Sequence, residues 1–173
     1  DRLAKVFGHD NAGFEKLADA LYLIDGPYQN PYELMTFYDN HDMPRLDADD
    51  NGFINAHNWL FTARGIPVIY YGSETGFMRG KAEHQGNRNY YGQERIDAGA
   101  SSPIYANLKR IAQIRRETPA LQRGLQLNLL LDGNRAAFYR VYQHGARAQT
   151  ALVLLNKGGK PAKFSFTGKQ LQA

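Results

Sequence analysis

Two short runs, ELMTFY at 33–38 and GIPVIYYG at 65–72, are apolar on nearly consecutive positions. A strand with one wet face alternates; a strand buried on both faces of a parallel sheet does not. Between them FINAHNWLFTARG sets Phe53, Ala56, Trp59, Leu60 and Ala63 on one stripe, with Gly65 after it. That is an amphipathic helix with a glycine stop. Strand, helix and strand within about 40 residues predict a βαβ unit, whose crossover should be right-handed.

The rest of the chain is read around this unit. GFEKLADALYLID places Phe14, Leu17, Ala18 and Leu21 at offsets of three and four, which predicts an amphipathic helix stopped by Gly26, Pro27 and Pro31. Ser73 to Ser102 is Gly-rich, polar and aperiodic. At roughly 30 residues it exceeds an ordinary connector and predicts a functional loop. Pro103 opens a further helix, faced by Ile104, Leu108, Ile111 and Ile114 or Arg115, and Pro119 ends it. Lys109, Arg110, Arg115 and Arg116 read as its solvated face. Beyond Leu121 the pattern becomes LQLNLLLD, AAFYRVYQ, TALVLLNK and AKFSFTG, four short strands broken by Asp132-Gly133-Asn134, His144-Gly145 and Gly158-Gly159. A division into 1–120 and an antiparallel β region at 121–173 follows.

Composition excludes several classes. No run approaches the roughly 18 apolar residues of a membrane span, and Asp1, Arg2 and Lys5 flank no apolar leader stretch. The chain begins without Met, as a processed product or an excised piece would. There is no cysteine, so disulfides, thiolate metal sites and cysteine nucleophiles are out. The net charge of +4 is scattered, which argues against a nucleic-acid surface. His9, His57, His84 and His144 show no metal-ligand spacing and read as surface or core residues.

The first apolar run breaks into Asp39, Asn40, His41 and Asp42. Taken alone, an Asn-His-Asp triplet could cap a strand end. FYDNHD, however, resembles the Phe-x-x-Asn-His-Asp signature of the α-amylase superfamily of glycoside hydrolases and transglycosylases, and GIPVIYYGSE resembles that family's eighth barrel strand and the turn after it. The likeness runs from about Asn30 to Gly159, through Asn87-Arg88 and LKRIAQIRRETPAL. Asp39 and Met43-Pro44-Arg45 look most like the cyclodextrin glucanotransferase, cyclomaltodextrinase and neopullulanase branch.

The resemblance implies strands seven and eight of a (β/α)8 TIM barrel, followed by the start of an antiparallel β-sandwich. A whole barrel needs about 250 residues. It implies a retaining enzyme on α-1,4-glucans or cyclodextrins, in which Asp42 and His41 grip the sugar being cleaved and Asn40 braces their turn. Nucleophile and general acid lie on strands four and five in the family and have no counterpart here. Arg45 is implied to line the groove on the opposite side of the cleavage point, with a surface role equally open. Arg88 is implied to contact a more distant glucose, although the branch has an Asp where this chain has His84, which leaves a loop salt bridge open for Arg88. Tyr90 and Tyr91 are the candidates for stacking on sugar faces; Tyr70 and Tyr71 are expected to pack into the core. Glu74 is structural in the family. No metal or other cofactor is expected in this chain, calcium being a feature of longer relatives. The expected partners are the glucan and the rest of the barrel or another copy or fragment, with no nucleic acid and no membrane. The alternatives are a non-catalytic, carbohydrate-binding or transporter-associated relative, and a free-standing sugar-binding module, which the βαβ unit disfavours. Compartment stays open; the resemblance points towards secretion or a bacterial periplasm.

Overall fold

In the computed structural model, which describes residues 2–24 and 26–168, the two apolar runs meet as a parallel pair. Strand β1 (Met35–Thr36) lies beside β2 (Ile66–Pro67), with Met35 opposite Ile66. The backbone N–H groups of Ile66 and Val68 donate to Leu34 and Thr36, each at 2.9 Å. The nitrogen of Pro67, between these two donors, therefore faces away from β1, where a missing N–H costs this pair nothing. Helix α2 (Asp50–Thr62) connects the strands. The Asp49 carboxylate caps its start by accepting from Gly52 N at 2.8 Å. Gly65 turns the chain back at φ 100°, and a Cβ there would sit 2.8 Å from the Leu34 carbonyl, so only glycine fits.

The strands are shorter and more open than expected. Met35 is 68% and Ile66 49% exposed, so the pair is not covered on both faces. Among the described residues each strand has only the other as a neighbour.

The stretch at 14–20 also departs from expectation. It is a 3₁₀ helix, Phe14–Ala20. Three residues per turn bury Phe14 and Leu17 and leave Ala18 in solvent, where a 3.6 period would have turned it inward. Ahead of it stands α1 (Arg2–Phe7), which buries Val6 and Phe7.

The long loop is not devoid of structure, since α3 (Gln93–Gly99) lies within it. Helix α4 (Pro103–Glu117) starts at its proline as expected and buries Ile104, Ile111 and Arg115, while Ile114 faces out. Lys109, Arg110 and Arg116 are solvated; Arg115 corrects that reading. Its guanidinium donates to the carbonyls of Phe61 at 2.9 Å and Gly65 at 2.7 Å. These groups stand at and just beyond the C-terminus of α2, where carbonyls lack helical partners and the dipole is negative. Arg140, fully buried, donates to the neighbouring Thr62 carbonyl at 2.5 Å and to Gly124 at 2.9 Å. Burial, and then the Arg115 charge, lower the Arg140 pKa to about 10, so it stays charged at neutral pH.

After α5 (Pro119–Arg123), strands β3 (Leu125–Asp132), β4 (Arg135–His144) and β5 (Arg147–Asn156) form an antiparallel sheet in that order. Both hairpins close through glycines with positive φ, Gly133 at 53° and Gly145 at 57°. The segment 162–168, expected as a fourth strand, is not one. Ala162, Phe164 and Phe166 alternate with exposed residues, yet among the described residues no strand pairs with them. The expected division at 120 falls inside α5, and one apolar core crosses it: the Trp59 ring lies 5.5 Å from Phe14 and 5.6 Å from Phe138 on β4. In the same core the Tyr38 hydroxyl meets His57 Nε2 at 2.7 Å, and burial lowers the His57 pKa to about 4.

Two outcomes follow from these buried groups. Arg140→Ala leaves the Thr62 and Gly124 carbonyls without their donor and costs on the order of 3 kcal/mol, read as a lower urea midpoint at unchanged slope. His57 folds neutral, with its folded pKa below the unfolded 6.5, so its contribution is complete above pH 6.5, is lost as pH falls towards 4, and changes no further below. Over that window the wild type should lose about 3 kcal/mol more unfolding free energy than His57→Gln, a difference that isolates His57 from the carboxylates. Parallel pH profiles for the two proteins would refute this.

Candidate carbohydrate-binding site

The chain leaves the C-terminal end of β1 through Tyr38 and Asp39 and turns at once. The Asn40 side-chain oxygen accepts the Asp42 backbone N–H at 2.8 Å, and the Asn40 carbonyl accepts from Met43 N at 3.4 Å. This Asx turn is the brace expected of Asn40. It leaves His41 and Asp42 with side chains 56% and 60% exposed. His41 Nε2 lies 3.0 Å from one Asp42 oxygen, and Arg88 Nη2 lies 2.7 Å from the other. Arg88 thus forms a salt bridge, and it does so with the strand-end carboxylate. A carboxylate offers about four lone-pair sites. Two contacts leave it able to accept further hydrogen bonds from a polyol.

Beneath this exposed layer is a buried one. Asp39 accepts the Ser73 hydroxyl at 2.8 and 3.1 Å and Leu46 N at 3.4 Å. Burial raises its pKa, opposed by those two hydrogen bonds and the Arg45 charge. Arg45 itself corrects an expectation. It was to line a groove, but it is 2% exposed and acts as a strut. Nε donates to Gly86 O at 2.7 Å and Nη1 to Tyr71 O at 2.8 Å, and the guanidinium lies over the rings of Tyr70 (4.6 Å) and Tyr71 (4.9 Å). A planar guanidinium can bond in its plane and stack on aromatic faces at the same time.

Tyr70 and Tyr71 depart from the core packing expected of them. Both are at least partly exposed, and their hydroxyls pin the long loop, Tyr70 to Asn87 O at 2.7 Å and Tyr71 to Asn89 O at 2.6 Å. The stacking candidates separate. Tyr91 is held down, its hydroxyl on Thr75 and its ring 4.8 Å from Phe77. Tyr90 is 86% exposed. The structure thus gathers Asn40, His41, Asp42 and Arg88, buries Arg45 below them, packs Tyr91 into the loop and leaves Tyr90 outside.

Sequence reasoning missed Ser73 and Asn87. Their signal was position: a hydroxyl just past the second apolar run, and a carboxamide directly before Arg88. Among the described residues no group of three His, Asp or Glu side chains is spaced to hold a metal ion. A cavity of about 660 Å³ opens elsewhere, between α1, the start of α2 and the loop at 156–161. Its lining holds the buried Phe7 and the His9 imidazole but no tyrosine or tryptophan.

No family model matches the chain. Individual relatives do. An α-amylase of Streptomyces lividans is 30% identical over 96% of this chain and 20% of its own length. A β/α-amylase of Paenibacillus polymyxa is 31% identical over 87% of this chain and 12% of its own. A cyclomaltodextrin glucanotransferase of Geobacillus stearothermophilus is 30% identical over 82% and 19%. The chain therefore spans about a fifth or less of these relatives. Among solved structures, a cyclomaltodextrin glucanotransferase with a three-domain ABC distribution superposes with a TM-score of 0.71 at 34% identity, covering 91% of this chain and 31% of that one. An α-amylase of Geobacillus thermoleovorans complexed with acarbose gives 0.67 at 26%, covering 90% and 35%. With its strand-end Asn40-His41-Asp42 turn and relatives matched over nearly its whole length, this chain belongs to the α-amylase superfamily.

Proposed function

We propose that this chain forms the sugar-gripping part of a retaining glycoside hydrolase or transglycosylase acting on α-1,4-glucans or cyclodextrins. The observation that carries the reading is the Asp42 carboxylate, braced by Asn40, flanked by His41 and open to solvent at the C-terminal end of a parallel strand. That is the end at which barrel enzymes build their sites. Glycoside cleavage passes through an oxocarbenium-like state, and carboxylate–hydroxyl bonds that strengthen as the ring flattens lower its energy selectively. In this role Asp42 accepts from sugar hydroxyls, His41 hydrogen-bonds the same ring, and Arg88 steadies the carboxylate. Tyr90, whose ring is open to solvent, stacks on a further sugar ring in this reading. Nucleophile and general acid come from the rest of the barrel.

On this reading β1 and β2 are the seventh and eighth barrel strands. Their exposed Met35 and Ile66 support it, as surface that further strands and helices of the barrel would cover. The sheet β3–β5 is the start of a sandwich. Its inner face holds Phe138, and its outer face shows Leu127, Tyr139 and Leu152 in one cross-strand row, apolar surface suited to a second sheet. Residues 1–120 and 121–173 are the two parts. The intact Asn40-His41-Asp42 turn disfavours a non-catalytic, carbohydrate-binding or transporter-associated relative.

In the full-length protein Asp42→Asn should lower kcat on maltooligosaccharides by about a hundredfold or more while KM changes by only a few-fold, since two charge-assisted bonds are weakened at the transition state. A raised KM with unchanged kcat would sink the transition-state role. The 173 residues alone should show no turnover on maltooligosaccharides or cyclodextrins; activity near that of the full-length protein would refute the division of labour.

A further inference from the structure

Asn87 is fully buried, in a loop whose neighbouring side chains are largely open. Both ends of its carboxamide are used. Nδ2 donates to the His41 carbonyl at 2.6 Å, and Oδ1 accepts the His84 backbone N–H at 3.0 Å. Its own carbonyl accepts the Tyr70 hydroxyl, and the carbonyl before it, that of Gly86, accepts from Arg45. The residue after it is Arg88, on Asp42. His84 holds a left-handed backbone at φ 64°, an uncommon state for a residue with a Cβ. The turn at 84–88 is thus clamped to the strand ends from below.

The clamp answers a physical difficulty. Arg88 and Asp42 are each 60% exposed, and an exposed ion pair is too weak to hold its own geometry. The order must come from beneath, and among the described residues Asn87 is the one buried side chain that bonds to the His41 main chain and adjoins Arg88. We propose that Asn87 is a positioning residue. It fixes the His41 peptide and the root of Arg88 together, so that His41 and Arg88 meet opposite oxygens of Asp42. This rests on the reading of Asp42 as the sugar-gripping carboxylate.

Asn87→Asp separates the two ends of the side chain. A carboxylate still accepts from His84 N but cannot donate to the His41 carbonyl and is repelled by it. In the full-length protein assayed on a maltooligosaccharide, Asn87→Asp should lower kcat roughly ten- to a hundredfold with KM little changed, the cost of misplacing aligned groups. In an Arg88→Ala background the same substitution should cost at least about threefold less, because part of its effect runs through Arg88. A purely structural residue would lower the melting temperature without this split or this coupling. A kcat within about twofold of wild type, or an undiminished cost beside Arg88→Ala, overturns the proposal. A crystal structure of Asn87→Asp gives a readout independent of turnover. The Arg88–Asp42 contact should be broken or the His41 peptide moved, and an unchanged site overturns the proposal even in a protein with no activity. Absent wild-type turnover would defeat the reading of Asp42 instead. If Asn87→Asp does not fold, Asn87→Ala, which removes the donor to the His41 carbonyl without adding a charge, takes its place with the same expected and overturning results.

Discussion

The end of α2 is the joint on which the molecule turns. Arg115 from α4 and Arg140 from β4 converge on Phe61, Thr62 and Gly65, carbonyls at and just past the helix end. Neither arginine forms a carboxylate salt bridge among the described residues; what stabilises their charge is the concentration of carbonyl oxygen at a helix C-terminus. Arg64 repeats the device, donating to Ala20 and Leu21 at the end of the 3₁₀ helix. Guanidinium suits this work because its fork reaches two carbonyls at once. The joint holds α4 and the antiparallel sheet against α2. It also fixes where α2 hands over to Gly65, and hence how β2 lies against β1.

From that fixed pair the site is built in two layers. Asp39 and Asp42 are the same residue type three positions apart on one strand end, and their surroundings give them opposite tasks. Asp39 is buried, bonded to Ser73 and near Arg45, so it ties the ends of the two strands together. Asp42 is lifted by the Asn40 turn into solvent, where its oxygens keep the capacity to accept further hydrogen bonds. The lower layer is rigid because its polar groups cannot find water. The upper layer can adapt because its groups can.

The tyrosines after β2 connect the layers. Tyr70 and Tyr71 lie under the Arg45 charge and bond outward to the loop, so the strut that organises the strand ends also anchors the segment bearing Arg88 and Tyr90. The long loop is thus ordered by polar contacts to the strand ends together with the packing of Tyr91 on Phe77.

Much of this was written in the residues. The two apolar runs, the stripe on α2, its Gly65 stop and the hairpin glycines specified the parallel pair and the three antiparallel strands, because periodicity and turn chemistry are local properties. The Asn40 turn was expected from the family resemblance of its motif rather than from local pattern. What sequence could not determine depended on partners distant along the chain. The same arginine type is solvated at Arg110 and Arg116 and buried at Arg115 and Arg140, according to whether unpaired carbonyls lie within reach. Arg45, expected at a groove, went under the site because Gly86, Tyr71 and Ser73 surround it there. The segment 162–168 has a strand's alternation, yet among the described residues it joins no sheet. The sequence alone determined the parallel pair, α2, α4, the three antiparallel strands and the polar cluster that ends β1; only the tertiary structure decided which charges are buried as struts and which stay in solvent, since burial and hydrogen-bond partners belong to the assembled fold.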